Sequence, residues 1–335
     1  MVLKLTGVGG RILAGFLLVP VVAWSAAAIW FDGPAERWLA GLLAAGFVLA
    51  AAAALVLPRS ALRAAVAALL LFGLVLAWWL NIPATNDADW QPEVARTASA
   101  SVEGNILTIR NVRDFQYRSE TDTTPRWETR RYDIAQLRGA DLFLSYWGPR
   151  VIAHTIMSWE FADGRHLAIS IETRKKKGQQ YSAVLGFFRQ YEIYYVVADE
   201  RDVIGVRAMY RGEDLYLYRL KVSPAQARAV LLDYLKSVDR LDTTPEWYNA
   251  LVHNCTTTIR HHALDAGAGR PFDWRILANG YIDELGYERG QIDTSLPFPE
   301  LRRRSDITAR AKAAYPGGDF SRSIRAGLPG ERTPP

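Results

Sequence analysis

Three long apolar stretches open the chain, at residues 12–31, 39–57 and 64–80, and beyond residue 100 the pattern changes to short alternating runs. A helix needs roughly 20 apolar residues to cross a bilayer core about 30 Å thick, so stretches of this length are expected to be three transmembrane helices. Five tryptophans (Trp24, Trp30, Trp38, Trp78 and Trp79) fall near the end or at the edge of a stretch, the level where an indole is stable between hydrocarbon and water. Lys4 and Arg11 precede the first stretch, Arg37 alone follows it, and Arg59 with Arg63 separate the second from the third. The basic excess keeps the amino terminus and the second loop inside, so everything after residue 82 is expected to face outward, which in a bacterium with two membranes is the periplasm. Ala26, Ala27 and Ala28 are small enough for a cleaved signal peptide, although Trp30 and Phe31 at the end of that stretch are unlike one. Cleavage would leave two spans and the same outward domain.

Residues 83–100, polar and containing Pro92, read as a linker that follows a 1–82 membrane anchor. Strand patterns begin at Ile106–Ile109 and continue at Ala140–Trp147 and Val151–Phe161; Asp163-Gly164 then signals a hairpin that returns over Arg165–Thr173. A basic turn, Arg174 to Gly178, is expected to be a solvated loop tip. Further strand-like runs are Tyr191–Val197, Val203–Tyr210 and Leu215–Val222. Helical signals then take over. Ser223-Pro224 is an N-cap with proline at the first helical position, and Ala227, Leu231, Tyr234, Leu235 and Val238 share one face. A second helical segment is expected over Pro245–Val252 and a third after Asn254. Strands first and helices last predict an α+β domain on an antiparallel sheet over residues 101–300, followed by a basic tail over 301–335.

The formal charge of +5 and mean hydropathy of −0.04 average unlike parts. The first 80 residues carry a net +3 and the last 35 a net +5, which leaves residues 81–300 slightly acidic at −3. The basic residues therefore sit in flanks and not on one face of the domain, and no nucleic-acid partner is expected. The tail reads either as solvated or as returning to anionic headgroups.

Chemistry gathers at the single cysteine. Cys255 alone excludes an intramolecular disulfide framework and every structural zinc site that needs two thiolates. It stands in Tyr248-Asn-Ala-Leu-Val-His-Asn-Cys255-Thr-Thr-Thr, where Asn254 as N-cap would place the thiol in the first turn of a helix, the position where backbone N–H groups and the helix dipole favour a thiolate. The alternative, a buried inert cysteine, fits poorly with polar neighbours. Of the five histidines, His262 lies about 10 Å along the same helix and His261 points elsewhere. His154 and His166 lie on the two arms of the Asp163-Gly164 hairpin. His154 opens its strand among apolar residues; if the loop carries one extra residue, Glu172 faces it, and with a two-residue loop Thr173 does. His166 is expected to be exposed. No cofactor and no metal cluster are expected.

The order of a histidine on one strand, an acidic residue on the next, and Asn-Cys opening a helix seven residues after a tyrosine resembles the circularly permuted branch of the NlpC-type papain-like superfamily, which includes lecithin:retinol acyltransferase. Residues from about 100 to 265 resemble, more closely, the bacterial Lnb-type periplasmic domain, through Asn111-Val-Arg-Asp-Phe, His154-Thr-Ile-Met-Ser-Trp-Glu-Phe-Ala-Asp-Gly, Ser170-Ile-Glu-Thr-Arg, Asp199-Glu-Arg-Asp-Val and Tyr248 to Thr257. The resemblance implies a cysteine acyl-transfer site, with Cys255 as nucleophile, His154 as base and Glu172 as orienting residue, and His166 as the other candidate for third member; Asn254 and Tyr248 are the expected supporting or oxyanion residues, with donors near Asn254 and the helix amino terminus as candidates for the oxyanion hole. Lnb proteins are linked to N-acylation of bacterial lipoproteins. Thr256-Thr257 replace the Glu-His of the lecithin-type pattern, and Thr155 its Trp, so mechanism carries over more safely than substrate.

The expectation is a membrane-anchored, periplasm-facing cysteine acyltransferase or lipid acyl hydrolase of the inner membrane, with membrane lipid as partner and a lipoprotein or phospholipid as substrate. The rivals are a cell-wall or peptide amidase using the same site, and a non-catalytic membrane interaction module.

Overall fold

The computed structural model describes residues 8–58, 60–330 and 332, with backbone alone at residues 8–15, 17 and 61. The chain divides into two units: residues 1–84 with Tyr181–Tyr191, and residues 85–180 with 192–335.

The first unit holds three long helices, α1 (Val8–Asp32), α2 (Arg37–Val56) and α3 (Ala61–Leu80). Two helical stretches among the described residues, Arg37–Val56 and Leu62–Leu80, are long and apolar enough to cross a membrane. Of the three expected spans, the second and third are found among the described residues; for the first, the described apolar helix is Leu18–Asp32, which carries Pro20 within it. Lys4 and Arg59, which entered the orientation argument, lie outside the described residues, as does the side chain of Arg11. Asp32 ends α1 as a hydrogen-bond hub, accepting from Trp79 Nε1 at 2.7 Å, Gln190 Nε2 at 2.6 Å and Arg189 N at 3.1 Å. Phe188 packs among Trp24, Phe31 and Trp79, so the insertion Tyr181–Tyr191 belongs to this unit by packing as well as by polar contact.

The second unit is α+β, as the pattern of strands followed by helices predicts. Its strands are β1 (Ser99–Glu103), β2 (Ile106–Arg113), β3 (Gln116–Tyr117), β4 (Thr123–Thr124), β5 (Trp127–Asp133), β6 (Leu137–Tyr146), β7 (His154–Phe161), β8 (His166–Arg174), β9 (Glu192–Ala198) and β10 (Asp214–Arg219). The main sheet runs β1-β2-β9-β8-β7-β6-β10, with β5 also paired to β2 and β3-β4 forming a separate ribbon. It is antiparallel except where β2 meets β9. The hairpin loop is three residues long, closed by Phe161 and Arg165, with Gly164 at φ +82° supplying the left-handed residue. The resulting register pairs Ile156 with Ser170; carried two residues further, it sets His154 opposite Glu172, the bulged alternative.

One face of the sheet packs on α4 (Glu200–Val203), α5 (Gly205–Met209) and the carboxyl-terminal helices; the other meets α6 (Pro224–Thr243) and α7 (Cys255–Asp265). α6 buries the predicted stripe, and Ser223 and Gln226 close a capping box at its start. The segment expected as a strand over Val203–Tyr210 is instead the end of α4 and the whole of α5. Asp199 caps α4 through Arg201 N, and Val203, Ile204, Val206 and Ala208 are buried, which the run of apolar residues did not separate from a strand. The expected helix over Pro245–Val252 is a bridged turn, Asn249 pairing with His253.

The expected linker and tail are both corrected. Trp90, Val94 and Ala98 are buried, and Arg174, expected at a solvated tip, is buried with its guanidinium 4.3 Å from the Trp90 ring and bonded to Val94 O and Asn86. Beyond α8 (Ile282–Glu288), the chain forms α9 (Phe298–Ser305), α10 (Thr308–Ala314) and α11 (Phe320–Arg325), whose Ile307, Ala311, Phe320, Ile324 and Leu328 complete the core. The basic charge of this segment masked an apolar spacing, and its Arg325 is buried against Asp141 and Glu200 at 2.8 and 2.6 Å. Thr333–Pro335 lie outside the described residues.

Candidate active site

Asn254 has the extended backbone of an N-cap and its Oδ1 accepts from Thr256 N and Thr257 N at 3.0 Å, while its Nδ2 donates to Ala250 O at 2.8 Å. Thr257 returns a capping-box bond to Asn254 N. The cap fixes Cys255 as the first residue of α7, partly exposed, at the end of the helix where the dipole favours negative charge. The Asn254 side chain is engaged in the cap. Tyr248 is buried ahead of the Asn249–His253 turn that leads into α7.

The Cys255 thiol and the His154 side chain act on each other: the imidazole lowers the thiol, and the thiol raises the imidazole. His154 Nε2 lies 2.6 Å from Ser170 Oγ, which donates to Glu172 Oε1 at 2.7 Å; Nε2 to Glu172 Oε1 is 3.7 Å. Because the serine hydroxyl gives its hydrogen to the carboxylate, it accepts from Nε2–H, which leaves Nδ1 for the thiol. Behind this chain, Arg207 donates to Glu172 at 2.8 Å and to Glu213 at 3.0 Å, and Ser145, across the sheet from His154, donates to Glu213. Ser170 and Arg207 were not singled out in the sequence. The i, i+2 relation of Ser170 and Glu172 on one strand face was the available signal for the serine.

Burial alone would push the thiol up, but the hydrogen bond and charge of His154, with the hydroxyl and backbone of Thr155, bring Cys255 down to about 6. Burial and the Arg207 charge push His154 down; its bonds to Cys255 and Glu172 overcome them and raise it. Glu172 is held well below the ordinary carboxylate range, since Arg207 and His154 outweigh its burial. Together these favour a thiolate facing an imidazolium.

Asn279, also missed because Asn-Gly reads as an ordinary turn, brings Nδ2 to 3.9 Å from Cys255 Sγ and 2.7 Å from Thr256 Oγ1. Thr155 and Thr256, the latter next to Cys255 in sequence, contribute to the wall of an apolar cavity of about 190 Å³, lined also by Leu142, Met157, Leu220 and Ile259. Of the remaining histidines, His253 belongs to the turn before Cys255 and the other three lie elsewhere. His261 is exposed, and His262 is buried between Asp233 and Tyr195 at 2.8 and 2.6 Å. His166 is half-buried and pairs with Glu160 across the hairpin, six residues along β7 from His154, a distance of about 20 Å at 3.3–3.4 Å per residue.

Against the expectation of no metal cluster, Asp141, Glu160 and His166 bring their ligand atoms within 4.8 Å of one another. Both carboxylates are already matched by arginines: Asp141 by Arg325 and Arg332, and Glu160 by Arg332. The donor set thus fits an ion-pair network better than a dication.

No curated protein and no solved structure matches the chain. Residues 123–280 match the family described as the Lnb N-terminal periplasmic domain, a span that holds His154, Ser170, Glu172, Arg207, Cys255 and Asn279. The chain thus carries a Lnb-type periplasmic domain over residues 123–280.

Proposed function

We propose that the chain is a cysteine acyltransferase or lipid acyl hydrolase, anchored by several spans in the inner membrane and acting on the periplasmic side. The observation that carries this reading is the Cys255–His154 pair at a helix amino terminus with an apolar cavity beside it. The order of histidine strand, acidic strand and cysteine helix supports placing the domain among the permuted papain-like folds.

In this mechanism the Cys255 thiolate attacks the carbonyl carbon of an ester or amide, and a C–S bond forms as the carbonyl π pair moves to oxygen. The tetrahedral intermediate collapses, the C–O or C–N bond breaks, and His154 gives its proton to the leaving group. An amine or water then gives a proton to His154 and displaces the thiolate, which yields transfer or hydrolysis. Ser170 and Glu172 keep the imidazole oriented, as the third member does in serine and cysteine triads. The apolar cavity is suited to a hydrocarbon chain, and it favours acyl substrates over wall peptides. A phospholipid or lipoprotein acyl chain is the proposed substrate class.

The test is mass spectrometry of the detergent-solubilised full chain after brief exposure to a phospholipid. An acyl adduct on Cys255 in the wild type, and its absence together with lost turnover in Cys255→Ala, is the expected result. Intact turnover in Cys255→Ala would sink the mechanism, and release of peptide from peptidoglycan without fatty-acid release would replace the lipid substrate with the amidase reading. A thiol that reacts with an alkylating probe only near the ordinary cysteine pKa of about 8.5 would favour the non-catalytic module.

A further inference from the structure

We infer that Asn279 is a catalytic residue that donates a hydrogen bond to the oxyanion of the tetrahedral intermediate, a role that rests on the acyl-transfer reading of Cys255. Three observations converge. First, its amide is oriented from behind: Oδ1 accepts from Ala153 N at 2.8 Å, so the NH₂ end must face the opposite way, toward Cys255 and Thr256. Second, that NH₂ carries two hydrogens, of which one goes to Thr256 Oγ1 at 2.7 Å. The other is available on the side of the sulfur, 3.9 Å away. An oxygen carried one atom beyond the sulfur comes within reach of such a donor, and about 2.7–3.1 Å is the separation an oxyanion donor needs.

Third, the backbone that carries Asn279 is held at close quarters. Gly280 donates to Val151 O at 3.2 Å and its carbonyl accepts from the Tyr146 hydroxyl at 2.8 Å. A Cβ at Gly280 would lie 1.6 Å from Arg150 O, so only glycine permits this approach. The donor is thus fixed before substrate arrives, the condition under which a hydrogen bond aimed at developing charge is worth most. The backbone N–H of Cys255 itself, in the first turn of α7, is the natural second donor, because Thr256 N and Thr257 N are taken by the cap. Burial agrees with this assignment, since Asn279 is 7% exposed and a buried amide of this kind must place its hydrogens.

The step balances simply. As the C–S bond forms, the carbonyl π pair becomes an alkoxide that accepts from Asn279 Nδ2–H and Cys255 N–H; on collapse the pair returns to the carbonyl and the leaving group departs with the His154 proton. Asn279 neither gains nor loses a proton.

The experiment uses the full chain in detergent with p-nitrophenyl butyrate as substrate, octanal as a thiol-adding analogue of the intermediate, and iodoacetamide as an alkylating probe that develops no oxyanion. Asn279→Ala should lower kcat about 100-fold, with KM changed less than threefold, and weaken octanal inhibition by a similar factor. Iodoacetamide alkylation of Cys255 should keep its rate and pH profile. Asn279→Asp, which preserves the acceptor for Ala153 N and removes the donor, should lose a similar factor once turnover is normalised to alkylation rate. Turnover within threefold of wild type in both variants, while Cys255→Ala is inactive, overturns this inference and leaves the acyl-transfer reading standing. Alkylation falling in step with turnover in both variants overturns it in favour of a positioning role. Persisting turnover in Cys255→Ala overturns both readings together.

Discussion

The two ends of the β7–β8 hairpin carry the same kinds of residue and do different things with them. At one end His154 meets Ser170, Glu172 and a thiol; at the other His166 meets Glu160 and Asp141. The difference lies in what supplies the positive charge. Near His166, Arg325 and Arg332 from the carboxyl-terminal segment satisfy the carboxylates, and burial leaves that imidazole lowered below its ordinary value. Near His154, Glu172 is shared between Arg207 and the Ser170 link, and the thiol pairs with the ring, so this imidazole is raised despite its burial. A histidine beside carboxylates is therefore no sign of chemistry until the cations around them have been assigned.

That contrast is tested most severely by removing each ring. His154→Ala should lower acyl turnover by about 10³–10⁴-fold, the scale on which triad members act, whereas His166→Ala should stay within about twofold in the same assay. Equal losses would erase the distinction. The next effect is on stability: Arg325→Ala leaves Asp141 and Glu200 buried without that partner and should cost about 3–5 kcal/mol in denaturant unfolding of the domain. A cost below about 1 kcal/mol would show that the arginines do not hold that end together.

The smallest effect concerns the pH profile. Activity that needs thiolate and imidazolium should rise as pH passes the thiol value of about 6 and fall when His154 loses its proton. Glu172 favours the charged ring, so Glu172→Gln should move the alkaline limb to lower pH and reduce peak turnover by about tenfold, one charge-assisted bond's worth. An alkaline limb that stays in place would remove Glu172 from the chain behind His154.

Much of this arrangement was legible in the chain, for identifiable reasons. Local rules act through a few neighbours, so Asn254 announced the cap that places Cys255, and Ser223-Pro224 announced α6. The position of Glu172 depended only on loop length, which Gly164 decided. What escaped notice depends on distant partners. Asn279 lies 24 residues from the cysteine it faces, with no periodicity linking them. Arg207 sits in a run that reads as a strand, and Arg325 in a segment whose charge reads as solvated, until Glu172, Glu213, Asp141 and Glu200 are placed around them.

The insertion Tyr181–Tyr191 has a consequence for biogenesis. The amino-terminal unit is discontinuous: Asp32 takes partners synthesised 157 and 158 residues later, and the aromatic rings around Trp79 take Phe188, about a hundred residues beyond Trp79. The three helices are synthesised early, but their ends stay unfinished until Phe188, Arg189 and Gln190 have been made. The eight strands β1–β8 are therefore made before the first unit is complete, and truncated chains that stop short of residue 191 would leave Asp32 and the rings around Trp79 without their later partners, a target for quality-control proteases.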